Sequence, residues 1–194
     1  MNILIGVSGG IAAYKVADLA SVLVNKNNHV VKIIMTEAAK KFVTPLTLAV
    51  ISKNPVLDDD SEWIPNSQIP HIDLAKWAEI FVICPATANT IAKIANGTAD
   101  NLLTSTYLAL PYKTPVILFP AMNTKMWESQ QTQENLSKLG KIDYHSYISP
   151  DVGLLACGDI GTGKLPSTKT LVESIQEACT ILQIRRDDAQ KSKE

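Results

Sequence analysis

Cysteine is scarce and scattered: Cys84, Cys157 and Cys179 are the only three in 194 residues, odd in number and without a Cys-x-x-Cys pair. That excludes a disulfide framework and a cysteine-built zinc site, and it leaves at most one thiol for chemistry. Basic charge is not concentrated either. Eighteen Lys and Arg against nineteen Asp and Glu leave a formal net charge of −1, with no basic stripe, so no nucleic-acid partner is expected. The apolar N-terminus is interrupted by Lys15 and Asp18 and has no basic leader. It reads as strand and helix rather than signal peptide or membrane span, which makes the cytoplasm the expected location. The acidic run Asp58-Asp59-Asp60 lacks ligand spacing, so no metal is expected and a solvated turn is. Internal repeats are absent, and so is Gly-x-Gly-x-x-Gly, which removes the dinucleotide fingerprint.

What is present is an alternation of short aliphatic runs and helical periodicities. Residues 2–7 form a strand that ends in Ser8-Gly9-Gly10 before a helix over 11–23. Residues 30–35 form a second strand ending at Thr36-Glu37, and Thr44-Pro45 opens a short helix over 46–51. Residues 53–70, with three prolines, read as a loop. Strands over 80–84 and 116–119 come next, each running into a polar turn, then a helix over 127–139 closed by Gly140, a brief strand over 141–144 and a last helix over 171–184. Cys84 and Cys179 read as buried thiols, His29 and His145 as surface residues. The pattern predicts one α/β domain over 1–184 in three layers, α/β/α, around a doubly wound parallel sheet, with 185–194 a charged, frayed tail.

In such a sheet ligands bind beyond the carboxyl ends of the strands, and the turns there hold the candidates. Ser8-Gly9-Gly10 is either a tight turn or a cradle of backbone N–H groups for an anion. Thr36 either caps a short helix over 38–42 or faces a ligand. Thr87 to Thr90 again bring hydroxyls to a helix start. Asn123, among Met122, Met126 and Trp127, is placed to cap a helix and to offer an amide to a carboxylate. His71, just after Pro70, is a candidate for proton transfer, the task to which histidine side chains are suited. Cys157 stands in the most glycine-dense segment, 153–164, which is expected to be mobile and to present the thiol rather than pack it.

Five stretches carry a resemblance. Pro120-x-Met122-Asn123-x-x-Met126-Trp127 matches the signature of the homo-oligomeric flavin-containing cysteine decarboxylases at all its fixed positions. His71-x-x-Leu74 followed by Trp77-Ala78-Glu79 resembles that family's active-site histidine segment. Pro85-Ala86-Thr87-Ala88-Asn89-Thr90 is similar to its Pro-Ala-Ser-Ala-Asn-Thr motif, with Thr87 keeping the hydroxyl. Gly97 to Leu103 comes after it as in the family. Ala156-Cys157-Gly158-Asp159-x-Gly161-x-Gly163 resembles the flap of phosphopantothenoylcysteine decarboxylases, although Lys164 stands where arginine is expected, which keeps the charge and loses bidentate phosphate binding.

The resemblance, from Ile3 to about Leu165, implies a flavodoxin-like sheet, bound FMN, and trimers or dodecamers. It implies FMN contacts at Ser8, Gly9, Gly10, Thr36, Thr87, Ala88, Asn89, Thr90 and Ala121. Asn123, Met126 and Lys164 would then contact the substrate, with His71, Asn123 and Cys157 catalytic. The implied reaction converts 4′-phosphopantothenoylcysteine to 4′-phosphopantetheine, in coenzyme A synthesis, with a separate ligase supplying the substrate. An N-acyl cysteine has no group to take the electrons left when its carboxylate departs; oxidation of its CH–SH carbon to a thioaldehyde provides one. A peptidyl-cysteine decarboxylase would release the enethiol unreduced and would not need Cys157. A flavin prenyltransferase would lack the Pro-x-Met-Asn stretch. A flavin-bearing phosphatase-inhibitor subunit would be expected to carry acidic extensions and lost catalytic residues, and a non-flavin nucleotide module is the remaining alternative.

Overall fold

The computed structural model describes residues 1–63 and 69–191. Six strands make the main sheet: β1 (Asn2–Val7), β2 (Val30–Met35), β3 (Val56–Leu57), β4 (Ile80–Ala86), β5 (Val116–Pro120) and β6 (His145–Tyr147). They lie in the order β3-β2-β1-β4-β5-β6, every neighbouring pair parallel. The chain winds outward from β1 to β3 and then returns to the other side of β1 as β4. The turns after β1 and β4 therefore sit side by side at the point where the winding reverses. Without the two-residue β3 the order is that of a flavodoxin-like doubly wound sheet.

The central strands are continuous apolar runs because both their faces are covered. Along β4, Ile80, Val82 and Cys84 enter one core while Phe81 and Ile83 enter the other, the two-residue period of a strand; the register shifts between Ile83 and Ala86, and Ala86 joins the second core. The first core is closed by α1 (Val16–Asn25), α2 (Pro45–Ser52) and α8 (Thr168–Lys191), whose Leu19, Leu48 and Leu171 are fully buried. The second is closed by α3 (Pro70–Trp77), α4 (Ala88–Ala95), α5 (Leu102–Leu108) and α7 (Gln130–Leu139). The result is three layers, as expected. Among the described residues no helix is long and apolar enough to cross a membrane.

Several local expectations need correction. Val56–Leu57 is an edge strand, not loop, and pairs with Ile33 and Ile34 of β2; residues 64–68 of that expected loop lie outside the described residues. The acidic run is not simply solvated, since Asp58 pairs with Lys40 at 2.5 Å and Asp59 accepts the backbone N–H of Leu102 at 2.8 Å. The helix expected over 127–139 is two helices, α6 (Thr124–Glu128) and α7, because Ser129 is extended and its hydroxyl accepts the N–H of Thr132 as a new cap. The last parallel strand is His145–Tyr147, a few residues beyond 141–144. His29 and His145 are partly buried with partners, not surface groups. The expected frayed tail continues α8 as helix to Lys191, tied down by an ion pair from Arg186 to Glu79.

Candidate active site

Gly9 lets the chain leave β1 close to the start of the next unit. A Cβ at Gly9 would stand 2.3 Å from the Cβ of Ala38, so only glycine permits that approach. The preceding Ser8 is 1% exposed, and its hydroxyl is spent within the protein. It donates to the carbonyl of Pro85 at 2.7 Å and accepts the N–H of Thr87 at 3.0 Å, joining the turn after β1 to the turn after β4. Thr87 in turn caps α4 by accepting the N–H of Thr90 at 3.3 Å. Thr36 accepts the N–H of Ala39 at 3.3 Å and also faces a cavity.

Two cavities of about 460 and 500 Å³ meet at these turns and share Gly9, Thr87 and Met126. The first is lined by Gly10, Ala88, Ala121, Asn123, Cys157 and Lys164 among others. The second is lined by Thr36, Asn89 and Thr90. Every residue expected to contact a cofactor, apart from the buried Ser8, thus borders one cleft. The first turn of α4 opens there, and the leading N–H groups of a helix have no intrahelical partner.

Beyond β5 the chain brings the reactive candidates together. The Asn123 side chain caps α6, its carbonyl oxygen accepting the N–H of Lys125 at 2.9 Å. Because α6 is only five residues long, its dipole adds little, and an anion here would be held by the amide itself. The expected mobile segment is an antiparallel hairpin, β7 (Asp151–Leu154) and β8 (Ile160–Lys164), with Cys157 in its turn. That turn is closed by the N–H of Leu155 on the carbonyl of Asp159 at 2.8 Å. Asn123 Nδ2 donates to Cys157 Sγ at 3.3 Å, and the thiol faces Asp159 Oδ2 at 3.4 Å. Cys84 and Cys179 are buried, which pushes both thiols up, so Cys157 alone is presented.

His71 is not brought to this point within one chain. It lies near the start of α3, partly buried, and lines neither cavity. Elsewhere, carboxylates of Glu37, Asp58 and Asp60 lie within 4.8 Å of one another, but the Lys40 ammonium already sits 2.5 Å from two of them. Burial alone would raise the Asp58 carboxyl, yet hydrogen bonds from Lys40 and Ser61 bring it below the ordinary value. The reading of the sequence missed Lys15, Asp159 and Thr124. Lys15 lines the first cavity and donates to the carbonyl of Leu165 at 3.2 Å.

A model of the family described as Flavoprotein matches residues 1–180. The chain belongs to the Flavoprotein family. A probable phosphopantothenoylcysteine decarboxylase of Streptococcus mutans is 49% identical over 176 residues, 91% of this chain and 97% of that protein. A coenzyme A biosynthesis bifunctional protein of Bacillus subtilis is 44% identical over 89% of this chain, which spans only 41% of it. Among solved structures, a cysteine-to-serine mutant of PPC decarboxylase complexed with pantothenoylaminoethenethiol superposes with a TM-score of 0.83 at 31% identity, covering 90% of this chain and 96% of that one. The FMN binding protein AtHal3 superposes at 0.80 and 32% identity, covering 90% and 94%. The cleft at the turns after β1, β4 and β5 lies within the matched residues.

Proposed function

We propose that this chain is an FMN-dependent decarboxylase that converts 4′-phosphopantothenoylcysteine to 4′-phosphopantetheine in coenzyme A synthesis. The observation that carries the reading is the contact of Asn123 Nδ2 with Cys157 Sγ at 3.3 Å. An amide that holds a carboxylate and a thiol that delivers a proton are needed at the same carbon, one before and one after carbon dioxide leaves. The 49% identity to the Streptococcus mutans protein and the fold shared with PPC decarboxylase support it.

The residues present fit FMN. The cleft combines apolar walls, the hydroxyls of Thr36 and Thr87, the Asn89 amide and the N-terminus of α4, a donor set suited to a phosphorylated ring-bearing ligand. Gly10 leaves open space, since a Cβ there would find its nearest neighbour at 3.9 Å. When bound, FMN supplies the two-electron oxidation of the substrate's CH₂–SH carbon to a thioaldehyde and returns a hydride at the end.

Each remaining step belongs to side chains. Asn123 donates to the substrate carboxylate and orients it; as carbon dioxide leaves, the electron pair of the broken C–C bond moves toward sulfur, giving an enethiolate. Cys157 then gives its proton to the carbon that lost the carboxylate and is reprotonated from water. His71 moves the proton of the oxidative half. Because His71 borders neither cavity, the reading includes a homo-oligomer, trimer or dodecamer, in which a neighbouring copy contributes it. Met126 borders both cavities, and Lys164 supplies positive charge for the substrate phosphate. A separate ligase makes the substrate, the counterpart of what the bifunctional relatives' longer chains suggest. Three free cysteines suit a reducing cytoplasm.

The test is product mass with three variants. His71→Asn and Asn123→Asp stop carbon dioxide release, whereas Cys157→Ser releases it and yields a product two hydrogens lighter. Normal product from Cys157→Ser sinks the assignment of the thiol. A wild-type product that is already the enethiol favours a peptidyl-type oxidative decarboxylase instead.

A further inference from the structure

The hairpin carrying Cys157 meets the rest of the protein at one seam. There β8 lies against the chain between β5 and α6. The N–H of Met122 donates to the carbonyl of Gly163 at 3.0 Å. A Cβ at Gly163, whose φ is +156°, would stand 2.0 Å from the Met122 carbonyl oxygen. A Cβ at Gly161 would stand 2.3 Å from Thr124 Oγ1. Two bare glycines are therefore what allow β8 to seat so closely. The Thr124 hydroxyl beneath it is buried and has no hydrogen-bond partner among the described residues.

A buried hydroxyl without a partner disfavours the state that buries it, because lifting β8 would return it to water. We propose that Thr124 is a positioning residue for Cys157: its orphaned hydroxyl under Gly161 holds the docking of the β7–β8 hairpin near balance, so the thiol can seat beside Asn123 and leave again. The glycines make docking possible and the threonine keeps it reversible. An irreversibly docked hairpin would hinder exchange of substrate and product through the cavity it covers, which Leu154, Cys157 and Gly163 line. The use made of Cys157 rests on the function proposed above; the docking equilibrium does not, and it is measured without substrate.

Hydrogen exchange of single amides on the purified full-length protein tests this. The Met122 N–H reports seating of β8, whereas the Leu155 N–H, bonded to Asp159 within the hairpin, reports the hairpin's own integrity. Thr124→Val keeps the shape and removes the hydroxyl. It slows Met122 exchange about tenfold, the scale of one relieved unsatisfied group, and leaves Leu155 unchanged. Thr124→Ser keeps the hydroxyl and stays within about threefold of the wild type. Gly161→Ala speeds Met122 exchange; should that variant not fold, the two threonine variants decide. Unchanged or faster Met122 exchange in Thr124→Val overturns the proposal, as does a parallel change at Leu155. Loss of decarboxylase activity in the wild type would instead overturn the function proposed above.

Discussion

Replacing Ser8 with alanine removes the hydroxyl that joins the two turns flanking the cleft. The N–H of Thr87 loses its acceptor at 3.0 Å, in a place where the serine itself is 1% exposed. The Pro85 carbonyl loses its 2.7 Å partner but keeps the backbone N–H of Ser8 at 3.3 Å. One buried donor left unpaired and one acceptor weakened amount to about 2 kcal/mol. For a chain of 194 residues that lowers the melting temperature by about 4–8 °C. Because Thr87 is the cap of α4, the loss falls on a wall of the cleft, and flavin should dissociate more readily from the variant. Differential scanning calorimetry with and without added FMN reads both effects. A melting temperature within about 1 °C of the wild type in both conditions would falsify the view that Ser8 is a structural brace between the turns.

Gly9→Ala places a methyl 2.3 Å from Ala38 Cβ and 2.8 Å from its carbonyl carbon, and should cost roughly 1–3 kcal/mol together with bound flavin absorbance; a stable yellow protein would refute that packing. Gly10→Ala, whose nearest neighbour would be 3.9 Å away, should melt like the wild type yet bind flavin less well, since the methyl intrudes on the cavity that Gly10 lines. Burial holds His29 and His145 below their ordinary value, with the N-terminal ammonium adding to the effect at His29. The unfolded chain therefore binds more protons than the folded one just below pH about 6.5, so stability is full above that value and falls as pH drops through it. Urea midpoints measured across this window should show the fall, and a His29→Gln, His145→Gln double variant should flatten it; an equally steep fall in that variant would exclude the two histidines as its cause.

The central strands were legible because their signal is local: β1, β4 and β5 are apolar on both faces, and nothing but a covered sheet accommodates that. The edges were not. Val56–Leu57 is two residues among prolines, and His145–Tyr147 is polar; each is a strand only because β2 or β5 offers unpaired backbone beside it. Ser129 sits inside an unbroken helical period, and only its extended backbone reveals a cap. The tail carried charge that reads as solvated, whereas Arg186 reaches Glu79, 107 residues away. At the site, Asn123 and Cys157 were each legible by resemblance to known motifs. Their contact across 34 residues was not, because it depends on how β8 seats on the chain after β5. Thr124 carried no signal in sequence at all, since its hydroxyl matters only once Gly161 covers it.

The central claim is that this chain completes a decarboxylation with no net oxidation or reduction through the cleft where Asn123 meets Cys157. The most direct measurement is an anaerobic absorbance trace of the purified protein on adding 4′-phosphopantothenoylcysteine, with the product mass taken from the same cuvette. The account predicts a flavin spectrum that bleaches transiently and recovers, and a product lighter by carbon dioxide alone. A flavin that stays bleached beside a product lighter by two further hydrogens, or a protein without flavin that leaves the substrate intact, would contradict it.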